Sequence, residues 1–481
     1  MVERVRPYLF YGHTTALCAE CLRTVPAKEI IEDGKVFLLK RCQHHGEQRV
    51  MLADDAAYWR LGREVFLKPP EQPARYNTPH HYGCPYDCGI CPDHEQHGCL
   101  CLLEITDHCN LRCPTCYAGS GPERQTHRSL AQIERMLDCI VANEVEPDVV
   151  QISGGEPTTH PEFFAVLDAC RRRPIRHLML NTNGVRIARE DGFAEKLAAY
   201  APRFEVYLQF DSLSAAPQHA LRGADLRSVR SQALEKLNRL NLSTTLVVTV
   251  RRGLNDGELG EIIRFAAAQQ CVRGVTIQPV QDAGRNDGYD SAEHRLTLSE
   301  VRRRILEQCD WFAPEDLIPV PCHPDSLAMA YALKRPSAGK PVTPLTSLID
   351  PQVLISGGRN TIVYEGDARI RGEILKAFST NHSPQSAAGA IARLLCCLPG
   401  LGSGFSDLGY DQVFRVIIMQ FLDRHSLDLR SVRKSCVHIA HPDGKRMIPF
   451  DTYNLFYRDR LEAEVLNPLR RELNRGAVAA P

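Results

Sequence analysis

Residues Glu104 to Ala118, EITDHCNLRCPTCYA, place Cys109, Cys113 and Cys116 at spacing C-x3-C-x2-C on a loop leaving a short apolar strand. Three thiolates hold three corners of a four-iron, four-sulfur cube and leave the fourth iron open to a ligand. An open coordination position separates a catalytic metal site from a closed structural one. The competing reading is a zinc knuckle. It needs a fourth nearby ligand, and His108, adjacent to Cys109, serves poorly.

The 481-residue chain carries 19 cysteines, most of them in tight groups before residue 117. The opening MVERVRPYLFYGHTT has scattered charges and no apolar core, so it does not read as a secretion signal. Metal binding is then a stronger explanation than disulfides. Cys18-x2-Cys21 and Cys42-x2-His45 flank VPAKEIIEDGKVFLLKR, where Asp33-Gly34 reads as a turn between two strands. Two knuckles around a hairpin suit one tetrahedral ion, zinc or a rubredoxin-like iron, bracing a domain over 1–65. His44 competes with His45 as the nitrogen ligand, and four buried residues without metal are the bland alternative. A Pro-rich stretch, KPPEQPARYNTPHHYG, opens a linker and cluster segment over 66–101. There Cys84-x3-Cys88-x2-Cys91 repeats the triplet, and Cys99 or Cys101 lies close enough to supply a fourth thiolate. Cys99 is preferred because Cys101 begins a strand. A cluster closed by four thiolates carries electrons or shapes a site; zinc with His94 or His97 is the alternative. Cys139, Cys170, Cys271 and Cys309 stand alone in helical patterns or beside a strand and read as packing.

The elements that position these loops alternate. Strands are expected at 102–106, 148–153, 177–182, 205–210, 244–250 and 274–279, separated by stretches with helical apolar spacing such as SLAQIERMLDCIVANE. Six βα units in series make an α/β chain with a parallel sheet over 102–283, its functional residues at the C-terminal strand ends. Gly154-Gly155-Glu156-Pro157 follows the second strand; two glycines permit close backbone approach, and Glu156 offers a carboxylate to an ammonium. Asn183 and Asp211 follow the third and fourth strands, where turn or cap roles compete with binding roles. After Gln281 the composition shifts, and 284–481 reads as a mostly helical domain, with segments near 299–312, 386–398, 409–424 and 458–474. The run VFRVIIMQFL at 413–422, apolar on nearly every face, suits a buried core helix more than a channel for a lipid chain. Lys+Arg and Asp+Glu are both 58, with no basic run, so nucleic acid has no electrostatic footprint. No apolar run reaches the length of a membrane span, and a soluble, cytoplasmic protein is expected.

The three-cysteine loop followed by GGEP at the next strand end resembles the radical S-adenosylmethionine (SAM) superfamily. The resemblance implies a partial (β/α)6 barrel. It also implies that the open iron takes the amino and carboxylate groups of SAM, whose reductive cleavage gives a 5′-deoxyadenosyl radical that removes hydrogen from substrate. Gly154, Gly155 and Glu156 would hold the methionine part, with Asn183 and Asp211 near the ribose or carboxylate. Where the family often has an aromatic residue before the third cluster cysteine, this chain has Thr115, with Tyr117 after it, which leaves the adenine contact open.

The wider order of motifs, with CPYDCGICP, HGC, a PC(x)P segment and a late CVHIAHPDGKRMIPFDTYN hairpin, resembles the subgroup of archaeal tetraether-lipid synthases and pterin methyltransferase-like proteins. That resemblance implies a mononuclear iron, the SAM cluster and two auxiliary clusters, the first on Cys84, Cys88, Cys91 and Cys99. The second maps onto Cys322, Cys436 and one of Cys396 or Cys397. Ser435 and Asp451 replace cysteines of relatives, and Asp451 is a candidate oxygen ligand. A flavodoxin or ferredoxin would supply electrons. The expected reaction functionalises an unactivated C–H bond, by carbon–carbon coupling of lipid alkyl chains or by alkylation of a small molecule such as a pterin. Competing readings are a radical SAM peptide or cofactor maturase and a non-catalytic Fe–S electron carrier.

Overall fold

The computed structural model describes residues 6–334, 340–350, 353, 368–370 and 410–478. The segment near 386–398, with Cys396 and Cys397, lies outside the described residues.

Four antiparallel strands open the chain: β1 (Leu9–Leu17), β2 (Thr24–Glu32), β3 (Lys35–Cys42) and β4 (Gly46–Ala53). The β2–β3 turn falls at Asp33-Gly34, both at positive φ, as the sequence requires of a two-residue hairpin. A helix, Ala56–Glu64, follows; the Asp55 side chain caps it by accepting from Tyr58 N.

The main sheet contains the six strands expected from the sequence: β5 (Leu100–Thr106), β7 (Val149–Gly154), β8 (His177–Thr182), β9 (Phe204–Gln209), β10 (Thr244–Val250) and β11 (Val272–Pro279). They pair in parallel in the order β11-β10-β9-β8-β7-β5. Their runs are apolar because both faces are covered, and the intervening helices bury stripes such as Ile133, Met136, Leu137 and Ile140. A short pair, β6 (Thr115–Cys116) with β12 (Arg285–Asn286), lies outside this sheet.

Among the described residues the C-terminal region carries strands as well as helices. It adds β13 (Ile318–Pro319), β14 (Leu327–Leu333), β15 (Thr343–Pro344) and β16 (Val413–Met419) at one edge of the sheet, and β17 (Val437–Ala440) and β18 (Met447–Pro449) at the other. The run expected as a helix at 413–422 is therefore largely strand. β16 pairs in parallel with β11 and antiparallel with β14, and all seven of its residues are buried. A short run apolar on every face is compatible with either element; here four β-branched residues and two strand partners decide it. Gly274 permits the pairing, since a Cβ there would come within 2.4 Å of the Arg415 carbonyl oxygen. Helices do form at Leu298–Gln308, closed by a capping box between Thr297 and Glu300, and at Asn467–Val478.

Candidate active site

Cys109, Cys113 and Cys116 sit on the loop after β5, at the C-terminal mouth of the parallel sheet. The loop is held from both sides. Asp107 N donates to Thr126 O at 2.9 Å and His108 N to Thr106 Oγ1 at 3.0 Å. Arg285, on the strand that pairs with Thr115–Cys116, donates to Cys113 O and Ser120 O at 2.6 Å each. Leu111 N donates to Cys109 Sγ at 3.4 Å. Cys109 and Cys113 are buried, and burial pushes both thiols up, so a cation is needed to hold them as thiolates.

The glycine pair has a concrete steric reason. A Cβ on Gly154, at φ +126°, would lie 2.2 Å from Thr106 O; on Gly155 it would lie 2.1 Å from His108 O. The close approach is thus to the cysteine loop's own backbone, bonded through Gly155 N to Thr106 O and Glu156 N to His108 O, both 2.8 Å. Glu156 is buried among donors: Thr158 Oγ1 at 2.6 Å, Thr182 Oγ1 at 2.7 Å and Asn183 N at 2.7 Å. Burial raises its pKa and these bonds oppose the rise. Asn183 Nδ2 donates to Asn110 Oδ1 at 2.6 Å, tying the third strand end to the cysteine loop.

Asp211, expected near SAM, is fully buried and turned to Arg222, whose Nε donates to Oδ2 at 2.7 Å. Arg222 lines the cavity in its place and also reaches the Cys113 thiol. Arg230 lines the same cavity, 2 % exposed, with Nε and Nη2 lacking partners while Nη1 donates to Asn183 O. Burial draws its guanidinium down to about 10. The sequence held a signal for it: Arg230 falls on the apolar stripe of Ala233, Leu234 and Leu237.

Beyond the cysteines the cavity has two characters. Gln151, Asn181, Gln209 and Gln278, one amide each on β7, β8, β9 and β11, line one part with Tyr207. They are linked where they meet: Gln209 Nε2 donates to Asn181 Oδ1 at 2.9 Å and Gln278 Nε2 to the Tyr207 hydroxyl at 3.2 Å. Gln281 adds a buried Oε1 with no partner. Leu100, Leu102, Met419, Phe421 and Phe450 line another part, with Phe421 and Phe450 stacked at 3.9 Å. Tyr117 packs edge-on against Phe450 at 5.0 Å. The C-terminal region is pinned here by a buried pair, Arg458 donating to both oxygens of Glu104 on β5 at 2.7 and 3.0 Å. The amide in each of these four strands was visible in the sequence, but their convergence on one cavity was not.

Among the described residues, two groups outside this loop gather three or more ligating atoms within 4.8 Å of one another, closer than the loop's own three thiols. The first is Cys18, Cys21, Cys42 and His45, the set read from the two knuckles, with His45 rather than His44. The second is Cys99, Cys322 and Cys436. Cys99, read from the sequence as closing the set of Cys84, Cys88 and Cys91, lies beside Cys436 because β17 pairs with β5, and Leu100 N donates to Cys436 O at 3.1 Å. Cys84, Cys88 and Cys91 stay together on their own turn, where Cys88 Sγ accepts from Thr452 Oγ1 at 3.0 Å. Asp451 is outside the thiol group. Its Oδ1 accepts from Leu422 N at 2.6 Å and its Oδ2 from Ser435 Oγ at 3.4 Å, and burial pushes its carboxyl up to about 7.

The radical SAM superfamily matches residues 103–266, and the HMPTM N-terminal zinc ribbon domain matches residues 10–54. The 7,8-dihydro-6-hydroxymethylpterin dimethyltransferase of Methanocaldococcus jannaschii is 31 % identical over 95 % of this chain and 96 % of that protein. The mycofactocin maturase MftC of Mycolicibacterium smegmatis is 31 % identical over 44 % of this chain and 51 % of its own length. The structure of Streptococcus suis SuiB bound to S-adenosylmethionine aligns with a TM-score of 0.36 at 18 % identity, over 44 % of this chain and 47 % of that one, too loose a likeness to argue from. A parallel sheet with three thiols and a glycine pair at its C-terminal mouth is the frame of an enzyme that works on a bound cluster. The chain belongs to the radical SAM superfamily, in its pterin methyltransferase-like subgroup. The family's cofactors are a [4Fe-4S] cluster and SAM, and its members take electrons from flavodoxin or ferredoxin. Among the described residues no helix is long and apolar enough to cross a membrane.

Proposed function

We propose that this enzyme alkylates a carbon of a planar, amide-bearing heterocycle of the pterin class, with Cys109, Cys113 and Cys116 holding the cluster to which SAM binds. When bound, these groups supply a one-electron cleavage of the sulfonium and a radical able to take hydrogen from an unactivated C–H bond. The residues present fit them. Three thiols, two of them buried, share a cavity with Arg230, whose unpartnered nitrogens suit the SAM carboxylate, and with Glu156, which suits its ammonium. Asn183 and the glycine pair fix the loops; Asp211 positions Arg222.

The row of Gln151, Asn181, Gln209 and Gln278 carries the substrate reading. Side-chain amides both donate and accept, and so match the alternating donors and acceptors on the edge of an amino-oxo-pyrimidine ring. The unpartnered Gln281 Oε1 awaits an N–H, and the Phe421–Phe450 stack offers a flat face. The M. jannaschii relative, a pterin dimethyltransferase, points the same way. The apolar wall of Leu100, Leu102 and Met419 favours a second reading, an alkyl chain. The test is anaerobic turnover with dithionite and methyl-labelled SAM, offering a dihydropterin and, separately, a phospholipid with saturated chains. Label in the pterin supports the proposal; modification of the lipid alone favours the second reading and overturns the first.

Two further sites belong to this reading. In the knuckle site Cys18 Sγ and Cys42 Sγ each lie 3.5 Å from His45 Nδ1, and Cys21 Sγ lies 3.8 Å from Cys42 Sγ. Metal–ligand bonds of about 2.3 Å to sulfur and about 2.0 Å to nitrogen, at tetrahedral angles, put two thiolates about 3.8 Å apart and thiolate and imidazole about 3.5 Å apart. The donors fit one zinc or iron ion. Cys84, Cys88 and Cys91 are proposed as ligands of an auxiliary cluster. A flavodoxin or ferredoxin is the proposed donor, and thiols kept reduced for metal favour the cytoplasm.

A further inference from the structure

Cys99, Cys322 and Cys436 come from three distant parts of the chain. Cys99 precedes β5, Cys322 lies in the loop between β13 and β14, and Cys436 precedes β17. All three thiols are fully buried, within 4.8 Å of one another, and Cys322 Sγ is 3.6 Å from Cys436 Sγ. That is the separation of thiolates sharing one tetrahedral ion, about 3.8 Å as worked above for the knuckle site. Thiolates on different corners of an iron–sulfur cube each sit beyond their own iron and stand well outside that spacing. The auxiliary cluster that the subgroup resemblance places on Cys322 and Cys436 therefore does not fit this arrangement. Ser435, next to Cys436, donates to Asp451 Oδ2 at 3.4 Å.

We propose that Cys99, Cys322 and Cys436 bind a single divalent ion of the thiolate-preferring kind, such as zinc, in place of an iron–sulfur cluster. Three thiolates packed together without solvent need a compensating cation, which this ion supplies. His97 lies beside the site but outside the group of three: its Nε2 is 3.5 Å from Cys99 Sγ and 3.3 Å from Glu71 Oε2, and its Nδ1 faces the Glu144 carboxylate at 3.0 Å. The residues next to two of the thiols, Leu100 and Val437, line the active-site cavity. The ion would join the C-terminal strands to the first barrel strand directly behind the cavity wall, as a structural latch with no redox role.

The test is the balance of metal and acid-labile sulfide in the full-length, anaerobically reconstituted protein. Four-iron, four-sulfur clusters contribute equal iron and sulfide, so the excess of iron plus zinc over sulfide counts single ions. An excess of two per chain is expected, falling to one in Cys42→Ser, which breaks the knuckle site alone. Cys322→Ser and Cys436→Ser are each expected to remove one metal ion and no sulfide, and the double variant no more than either single one. An excess of one in the wild type, falling to zero in Cys42→Ser, would overturn the proposal even if the Cys322 variant failed to fold. So would loss of iron and sulfide together in the Cys322 variant, or no loss of metal at all.

Discussion

Replacing Gly155 with alanine adds one methyl group where the structure leaves none room. Its Cβ would lie 2.1 Å from His108 O, 2.6 Å from His108 C and 3.0 Å from Asp107 O, against ordinary contact at 3.4 Å and beyond. These are backbone atoms, so no rotamer relieves the clash, and the loops must part by more than 1 Å. That opens the hydrogen bonds from Gly155 N to Thr106 O and from Glu156 N to His108 O, each worth about 1 kcal/mol net. The displaced segment begins one residue before Cys109, so the whole cysteine loop shifts relative to Glu156. A misplacement of about 1 Å costs roughly 100-fold in rate when reacting groups must be aligned. The assay is the initial rate of 5′-deoxyadenosine formation from SAM and dithionite, per cluster. Gly155→Ala is expected to lose about 100-fold, while Gly257→Ala, where nothing lies within 4 Å of the added carbon, keeps the wild-type rate. A Gly155→Ala enzyme with full cluster content and undiminished cleavage would refute the claim that loop spacing sets the chemistry.

Arg230→Met removes the two unpartnered guanidinium nitrogens; loss of a charge-assisted bond of about 2 kcal/mol should weaken SAM about 30-fold in equilibrium binding, with cluster content retained. Arg458→Met leaves the buried Glu104 carboxylate without its two-pronged partner and should cost about 3–5 kcal/mol by urea unfolding, part of it recovered in the double variant with Glu104→Gln. The buried His94–His438 pair gives a pH dependence. Burial lowers His94 to about 4 and His438 well below its ordinary value, so the folded state holds both neutral. Their contribution is complete above about pH 6.5 and lost as pH falls toward 4, His94 alone accounting for roughly 3 kcal/mol at the low end. Urea midpoints measured between pH 7 and 5 should fall less steeply in His94→Asn than in the wild type.

The parallel sheet was legible in the sequence nearly to the residue. Each strand is a short apolar run, covered on both faces and bounded by loop-forming residues, and 177–182 and 244–250 match with no shift. The same logic failed at 413–419, where no period distinguishes a buried strand from a buried helix and only pairing with β11 and β14 decides. At the active site the cysteines and glycines were legible because their spacing is local. The partner of Asp211 was not, since Arg222 arrives from the following helix. Nor was the grouping of Cys99 with Cys322 and Cys436, which depends on a C-terminal strand joining the sheet edge beside β5.

One measurement tests the open iron most directly: 5′-deoxyadenosine released when the anaerobically reconstituted protein meets SAM and dithionite, compared with Cys113→Ala. The wild type is expected to release it, and the variant to release none while keeping the metal of its N-terminal knuckles. No release from a wild type with full iron and sulfide, or equal release from both proteins, would contradict the claim that an open iron on Cys109, Cys113 and Cys116 does the chemistry.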